Sequence, residues 1–507
     1  MQQPTTPDGA VAVEAASSSA TTNRRVLALI VGPLMGVLVW ALPLSALSPS
    51  AHTLAAIMTW VVLYWIMEPI PLPVTALLGT TLCVVAGLGS VKAIFASYGH
   101  PVIFLFIGSF FLAEAMAVHG VDRRFAAWML ALPWVGESPA RILLALSLIT
   151  GFISMWISNT AATALALPVA LGVLSTLKKS GAQDLGLFRI GLLLMLSYAA
   201  TAGGLATVIG TPPNLIGTAL IEEEVSVSIS FVTWMTIGFP LAVMLLLLAW
   251  GLLHWNFKPG VAAFPGLDKQ LSEQQRALGP WTRGQQNACA GFILALVLWI
   301  VPGVLSAVLG TGHPMSVWLD QHLPNELVGI MTAGLLFFLP TNLERGEFTL
   351  SWKQATDISW GTVLLFGGGL AFGDLMVKTG LSKAVGHGFV DLFGVDQLWG
   401  VTAVAIFVAV LVSELTSNTA TATMLVPVAI AIANSAGVSP VPPALGACMG
   451  ASLGFALPVS TPPNAIVYGT GLIPIKSMIR VGLLFDLVGA VLIWLALRLL
   501  CPLVGLA

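Results

Sequence analysis

The chain has 507 residues, of which 57% are hydrophobic and only 8% charged, whereas a soluble domain carries roughly 25% charged residues. Such a chain cannot cover a surface in water, so its solvent is a bilayer, and its length holds about ten or more spans at roughly 20 residues each. The net charge of −2 provides no basic face for nucleic acid, and Cys83, Cys289, Cys448 and Cys501 are scattered in apolar context with neither metal-ligand spacing nor a disulfide framework.

In chain order, residues 1–25 are rich in Ser, Thr and Ala and read as a disordered tail. The apolar run after Arg24-Arg25 is long and reads as a membrane helix rather than a cleaved signal. Apolar segments with sharp polar breaks predict helices at about 26–46, 52–67, 71–89, 101–118, 189–221, 230–256, 284–302, 325–340, 357–377, 441–470 and 478–501. Two more apolar segments, 139–177 and 397–435, are interrupted midway by Ser158-Asn159-Thr160-Ala161 and Ser417-Asn418-Thr419-Ala420. Each half is short for a span, which predicts two re-entrant hairpins with polar tips. Segments 189–221 and 441–470 are broken by Thr211-Pro212-Pro213-Asn214 and Thr461-Pro462-Pro463-Asn464. Proline removes a backbone donor and disfavours helix at the residue before it, so these read as broken spanning helices.

The two pairs of motifs come in the same order, and Phe106, Gly108 and Gly120 recur as Phe366, Gly368 and Gly380. The chain therefore reads as two repeats, 26–256 and 284–507, joined by a polar cytoplasmic linker at 257–283. With the N-terminus inside and both hairpins re-entrant, one set of loops carries all but four of the 20 Lys and Arg residues. The other set carries only Lys92, Lys378, Lys383 and Arg498. That asymmetry places the N-terminus in the cytoplasm and turns the two repeats into an inverted pair, the arrangement of an alternating-access carrier.

The motifs also indicate a chemistry. Ser, Asn and Thr are preferred N-caps and Pro is favoured in the first helical turn. Each Ser-Asn-Thr thus caps the second helix of its hairpin, and each Thr-Pro-Pro starts a half-helix. Helix N-termini meeting at mid-membrane offer free N–H groups and partial positive charge to an anion. The ending half-helices offer carbonyls, and Asn and Ser add side-chain oxygens, which suit Na⁺. No Lys or Arg lies near either motif, so a dianion there needs cations bound beside it. One such motif is accounted for by a cap or a kink, but two motifs duplicated in order are not. Glu414, three residues before Ser417, reads as a partner that orients its hairpin, with a proton-carrying carboxylate as the alternative. Glu114 and Asp374, at matching repeat positions, read as helix-end markers. The histidines are scattered and no Ser-His-Asp or HExxH pattern appears, which disfavours an enzyme.

These motifs, together with Glu68-Pro-Ile-Pro-Leu-Pro-Val-Thr-Ala-Leu-Leu and Ser417-Asn-Thr-Ala-Thr-Ala-Thr, resemble the divalent anion/sodium symporter family over nearly the whole chain from about residue 26. That family includes bacterial dicarboxylate carriers and animal carriers of di- and tricarboxylates and sulfate. The resemblance implies an all-α integral membrane protein with about eleven transmembrane helices, two opposed re-entrant hairpins, a homodimer, and an elevator-type transport domain. It implies a bacterial inner-membrane location and sodium-coupled symport of a C4-dicarboxylate such as succinate, malate or fumarate, with Na⁺ as coupling ion and no cofactor. An exchanger, or a sulfate or citrate carrier of the same fold, is the alternative. By position, the substrate would meet Ser158, Asn159, Thr160, Ser417, Asn418, Thr419, Thr211 and Pro462. A first Na⁺ would use Ser154, Ser158, Asn159 and the Gly210 carbonyl, and a second Ser413, Thr416, Asn418 and the Ser460 carbonyl. Bacterial relatives often have Thr and Ala where this chain has Ser413 and Thr416, so the second cation site departs from the usual pattern by one extra hydroxyl.

Overall fold

A computed structural model describes residues 25–179, 187–258, 263–264, 267–310 and 312–507. The expected tail lies outside the described residues apart from Arg25. The first half contains α1 (Arg25–Ala41), α2 (Pro49–Met67), α3 (Leu72–Val85), α4 (Val91–Phe95), α5 (Pro101–Val118), α6 (Val121–Leu130), α7 (Pro139–Ser154), α8 (Asn159–Lys179), α9 (Phe188–Gly204), α10 (Pro212–Val225) and α11 (Phe231–Asn256). Within the polar connection the chain forms α12 (Leu267–Ala277). The second half contains α13 (Arg283–Leu309), α14 (Pro314–His322), α15 (Asn325–Leu335), an antiparallel pair of β1 (Pro340–Asn342) and β2 (Glu347–Phe348), and α16 (Trp352–Ala355). It continues with α17 (Trp360–Thr379), α18 (Leu381–Phe393), α19 (Leu398–Ser413), α20 (Asn418–Ser435), α21 (Val441–Ala451), α22 (Pro462–Tyr468) and α23 (Ile475–Leu500).

Among the described residues, six helices are by themselves long and apolar enough to cross a membrane, and α1, α3, α7, α8, α9 and α21 are shorter apolar helices. Large apolar side chains such as Leu34, Val85, Leu411 and Leu499 stay exposed, as expected where lipid rather than water is the solvent. The breaks fall at the motifs. α8 and α20 begin at Asn159 and Asn418, and α10 and α22 begin at Pro212 and Pro462.

The packing plan occurs twice. α3 packs on α17 as α15 packs on α5, α7 on α9 as α19 on α21, and α11 on α7 as α23 on α19. The halves also interlock crosswise: α10 rests on α20, α22 rests on α8, and α11 meets α23. Glycines permit the closest crossings. A Cβ on Gly108 of α5 would fall 2.3 Å from the Gly329 backbone of α15, and one on Gly203 of α9 would fall 2.2 Å from the Gly151 carbonyl of α7. Side chains at these points would drive the helices apart.

Besides the short α4, α12, α14 and α16, which lie outside the predicted helices, three features depart from the predicted elements. The helices α6 and α18 follow Gly120 and Gly380, whose φ of +66° and +81° turns the chain in a way glycine permits at no steric cost. Both helices are short and amphipathic, with Asp122, Arg123 and Arg124 in one and Lys383, His387 and Asp391 in the other. They therefore lack the apolar length that marks a span. The third departure is the β1–β2 pair, a small exception to an all-α reading.

Candidate ion and substrate site

Each broken helix is held open by one asparagine. After α9 ends at Gly204, the Asn214 Nδ2 donates back to the Gly204 and Thr207 carbonyls at 2.9 and 2.7 Å. After α21, the Asn464 Nδ2 donates to the Gly454 and Leu457 carbonyls at 2.8 and 2.9 Å. Both asparagines are fully buried. The chain beyond a helix C-terminus leaves carbonyls without intrahelical partners, and here the fourth residue of each Thr-Pro-Pro-Asn bonds two carbonyls at the break, Gly204 at the end of α9 with Thr207 in the loop after it, and Gly454 with Leu457 in the loop after α21. The asparagine was visible as part of the motif, but its bracing of the break needed the three-dimensional path.

The hairpin tips dock on these breaks. In the first, Ser154 Oγ donates to Asn159 Oδ1 at 2.9 Å. The same Oδ1 abuts Gly204, where a Cβ would come within 2.4 Å of it. Gly210 is folded against the Gly204 carbonyl, where its own Cβ would stand 2.5 Å away. Ser154, Asn159 and the Gly204–Gly210 loop are thus brought together, with Ser158 on the same turn. In the second, Ser413 Oγ lies 2.9 Å from Asn418 Oδ1 and 2.6 Å from the Ala451 carbonyl, with one proton to give to either. Asn418 Nδ2 donates to the Ser452 carbonyl at 3.3 Å. Gly454 faces Ser460 and Ser413.

The capping roles divide. Ser158 Oγ accepts the Ala161 N–H at 3.2 Å, and Thr461 Oγ1 accepts the Asn464 N–H at 3.3 Å. Ser417 and Thr211 occupy the N-cap positions of α20 and α10 but make no side-chain cap. Thr416 donates to the Trp65 carbonyl in the last turn of α2 at 2.7 Å, tying this tip to a helix of the first half. Ser158, Asn159, Ser417, Asn418 and Thr419 are half-buried, Thr160 and Pro462 exposed, and Thr211, Gly210 and Ser460 buried. Glu414 behaves as an orienting partner. Its Oε1 accepts the Ala456 N–H at 2.9 Å, and its Oε2 accepts the Leu457 N–H at 3.2 Å and the Ser460 hydroxyl at 2.6 Å. Asp374 forms an ion pair with Lys378 at 2.6 Å in the last turns of α17, as a helix-end residue would.

The charge around these tips is unusual. No Lys or Arg occurs in 142–177, 190–257 or 384–475, which contain both hairpin tips and both breaks. Among the described residues no three His, Cys, Asp or Glu side chains gather to hold a metal. The donors at the tips are neutral oxygens and amides. A cavity of about 730 Å³ runs along the flank of the first hairpin, lined by Phe152, Trp156, Ile157, Trp281 and Phe292 among others. Its wall reaches the residue before Ser158 and is mostly aromatic and apolar, with Asp122, Arg124, Gln275 and Arg276 also in the lining, and it does not include the tips.

Paired helix breaks and polar tips in an apolar helical body describe a membrane transport protein and not an enzyme. The chain belongs to the family described as the sodium:sulfate symporter transmembrane region, whose family model matches residues 21–506. It is similar to the sodium-dependent dicarboxylate transporter SdcS of Staphylococcus saprophyticus, 35% identical over 487 residues, covering 94% of this chain and 92% of the relative. The SdcS protein of Staphylococcus aureus strain USA300 is 33% identical over 488 residues, with the same coverage. Among solved structures, the fold is similar to the YdaH transporter of Alcanivorax borkumensis, with a TM-score of 0.50 and 14% identity over 83% of this chain and 88% of that one. It is also similar to MtrF of Neisseria gonorrhoeae, described as an antimetabolite efflux pump, with a TM-score of 0.52 and 11% identity over 82% and 83% of the chains.

Proposed function

We propose that the protein is a secondary carrier that couples Na⁺ to the movement of a C4-dicarboxylate across the bacterial inner membrane. The observation that carries this reading is the matched pair of Ser–Asn tips, each braced on a helix break in a region without Lys or Arg. Neutral oxygens suit a hard monovalent cation, and helix starts suit a carboxylate. An anion with no fixed basic partner then takes its countercharge from the co-bound cations. The names of the SdcS relatives favour dicarboxylate, and the family description keeps sulfate as the second reading.

In this reading Ser154, Ser158, Asn159 and the Gly210 carbonyl hold one Na⁺, and Ser413, Thr416, Asn418 and the Ser460 carbonyl hold another. Ser158, Asn159, Thr160, Ser417, Asn418 and Thr419 face the anion, with Thr211 and Pro462 beside them. Eleven spans result when α1, α3 and α15 count as short spans and α9–α10 and α21–α22 as broken ones. The α7–α8 and α19–α20 pairs are the re-entrant hairpins, and they move with the broken helices as an elevator within a homodimer. Succinate uptake into proteoliposomes with and without an inward Na⁺ gradient, with sulfate and citrate as competitors, tests the reading. Saturable, Na⁺-driven uptake blocked by unlabelled dicarboxylate is expected. Uptake that runs equally well in choline and needs internal succinate would replace symport with exchange.

A further inference from the structure

The cavity beside the first hairpin is walled by faces of three helices. α13 presents Cys289, Phe292, Ile293 and Leu296, whose spacing of i, i+3, i+4 and i+7 puts them on one face. α5 presents Ala113, Met116 and Ala117, and α7 presents Phe152 and Ile153, with Trp156 and Ile157 just beyond its end. The cavity is not sealed. Trp128, Phe152 and Ile293 line it and are exposed, in a chain whose exposed apolar side chains meet lipid. Its volume of about 730 Å³ lies in the range that holds a small ligand, roughly 300–1,000 Å³.

Its polarity is divided along its length. The polar lining comes from α6, from the end of α12 and from the turn before α13: Asp122, Arg124, Gln275 and Arg276, with Trp281 beside them. α13 starts at Arg283, and Leu296 lies about 20 Å further along the helix axis. That far end is apolar and reaches Ile157, next to the first tip. The polar end carries guanidiniums without an acidic partner. Arg124 bonds only neutral carbonyls: Nη1 donates to Gly279 at 2.9 Å, and Nη2 to Leu278 and Pro280 at 2.9 and 3.1 Å. Its guanidinium also lies 5.0 Å over the Trp281 ring. Arg276 is exposed and, among the described residues, forms no ion pair. Asp122 Oδ1 accepts the Arg123 N–H at 2.7 Å, and its carboxyl pairs with neither Arg124 nor Arg276. Two guanidiniums outnumber one carboxyl, so this end is positive.

Such a lining selects an amphiphile. A small dianion would lie against an apolar wall with no matched charge along most of its length, and a purely apolar solute would leave the guanidiniums without an anion. An acyl chain fits the aromatic and aliphatic length. A phosphate fits arginine, which can hold two phosphate oxygens through parallel N–H groups. Trp128 of α6 and Trp281 are exposed, and tryptophan settles at the headgroup level of a bilayer. A headgroup with one net negative charge balances the excess guanidinium, whereas a zwitterionic headgroup does not.

We propose that this cavity is a binding site for a membrane phospholipid with an anionic headgroup, seated with one acyl chain between α13 and the first hairpin and with its phosphate at Arg124 and Arg276. The site is separate from the tips. Its acyl chain lies against Phe152 and Trp156, so an occupied cavity supports the flank of the hairpin that carries Ser158 and Asn159.

Cys289 is a reporter inside the site. It lines the cavity and is partly exposed, whereas Cys83, Cys448 and Cys501 are buried. The full-length protein in mixed micelles is titrated with phosphatidylglycerol or with phosphatidylcholine, and alkylation of Cys289 by N-ethylmaleimide is followed by peptide mass. Phosphatidylglycerol should slow the labelling, with half of its effect at a concentration roughly ten-fold or more below that of phosphatidylcholine, because each arginine near a membrane surface favours an anionic lipid by roughly five-fold. Arg276→Gln changes an exposed side chain, so the variant should fold as the wild type does and narrow the preference by roughly five-fold. Ala117→Trp fills the cavity from an exposed position without changing charge. It should reduce the phosphatidylglycerol that stays bound through delipidation, counted by native mass spectrometry. Equal protection by the two lipids, or protection by neither, overturns the proposal. So does an Arg276→Gln protein that keeps the whole preference, or an Ala117→Trp protein that retains phosphatidylglycerol at the wild-type level. None of these measurements involves Na⁺ or uptake, so they fail separately from the carrier reading.

Discussion

At the scale of single residues, the proposed function places most on Asn159 and Asn418. Each is half-buried at a helix start, with its amide oxygen 2.9 Å from a serine hydroxyl of the same hairpin. Removing a hydrogen bond to a charged group costs about 1.5–3 kcal/mol, so Asn159→Ala and Asn418→Ala should each weaken Na⁺ and succinate binding roughly ten- to hundred-fold while the protein still folds. Uptake and thermal stability measured on the same purified protein check this, and near-normal uptake by Asn418→Ala would remove it from the site. Gly204 gives a companion test. A methyl there would come within 2.4 Å of Asn159 Oδ1. Gly204→Ala is therefore expected to lose Na⁺ affinity like Asn159→Ala although it deletes no ligand. Gly334, with open space around its Cβ position, is the control at which alanine leaves affinity unchanged.

At the scale of elements, the broken helices depend on their braces. Asn464→Ala leaves the Gly454 and Leu457 carbonyls without their amide donor, and Asn214→Ala does the same for Gly204 and Thr207. Thr207 and Leu457 keep the backbone N–H groups of Gly210 and Ser460, so one carbonyl per break is orphaned; an unsatisfied buried group costs about 1–3 kcal/mol, and each substitution should destabilise by about that amount, read as a lower unfolding midpoint in detergent. An unchanged midpoint would mean that the break is held by its surroundings instead. Much of this level was legible. The motifs, their order and the starts of α8, α10, α20 and α22 follow from cap and proline preferences that act within a few residues. The helices α6 and α18 were not legible as elements, because ten to thirteen amphipathic residues carry no span signal. Their leading glycines were visible only as repeat matches. The triple glycine at 367–369 illustrates the same limit. Its residues abut Tyr98, Ala76 and Thr423, a packing role that spacing implies without naming the partners.

At the scale of the whole molecule, the crosswise contacts of α10 with α20 and α22 with α8 bind the two halves into one polar centre. If that centre is exposed to alternate sides, cysteines replacing Thr160 and Thr419 should change reactivity towards impermeant thiol reagents when Na⁺ and succinate are added. A protection pattern that never changes would indicate a static assembly. Charge balance yields a second expectation. Cation and dianion stabilise each other at low dielectric, so succinate affinity should fall steeply as Na⁺ is withdrawn, and succinate should raise Na⁺ affinity by the same factor. Titration of each ligand at several fixed concentrations of the other checks the reciprocity. The doubly ionised acid is the form this charge balance selects, so uptake should weaken as pH falls below succinate's second ionisation.

The sequence by itself determined the solvent, the duplication and the places where helices break. Composition, offset and proline chemistry are properties of the chain that need no partner in space. It also marked the serines and asparagines of the tips, because capping preferences are local. Only the tertiary structure decided which oxygens meet: that Ser154 bonds Asn159, that Thr416 reaches Trp65, and that Glu414 grips the break 42 residues onward. Only it brought Asp486 of α23 and Glu414 to neighbouring N–H groups of the break after α21. These contacts join residues far apart in the chain, and the packing angle of helices, which local preference does not encode, sets them side by side.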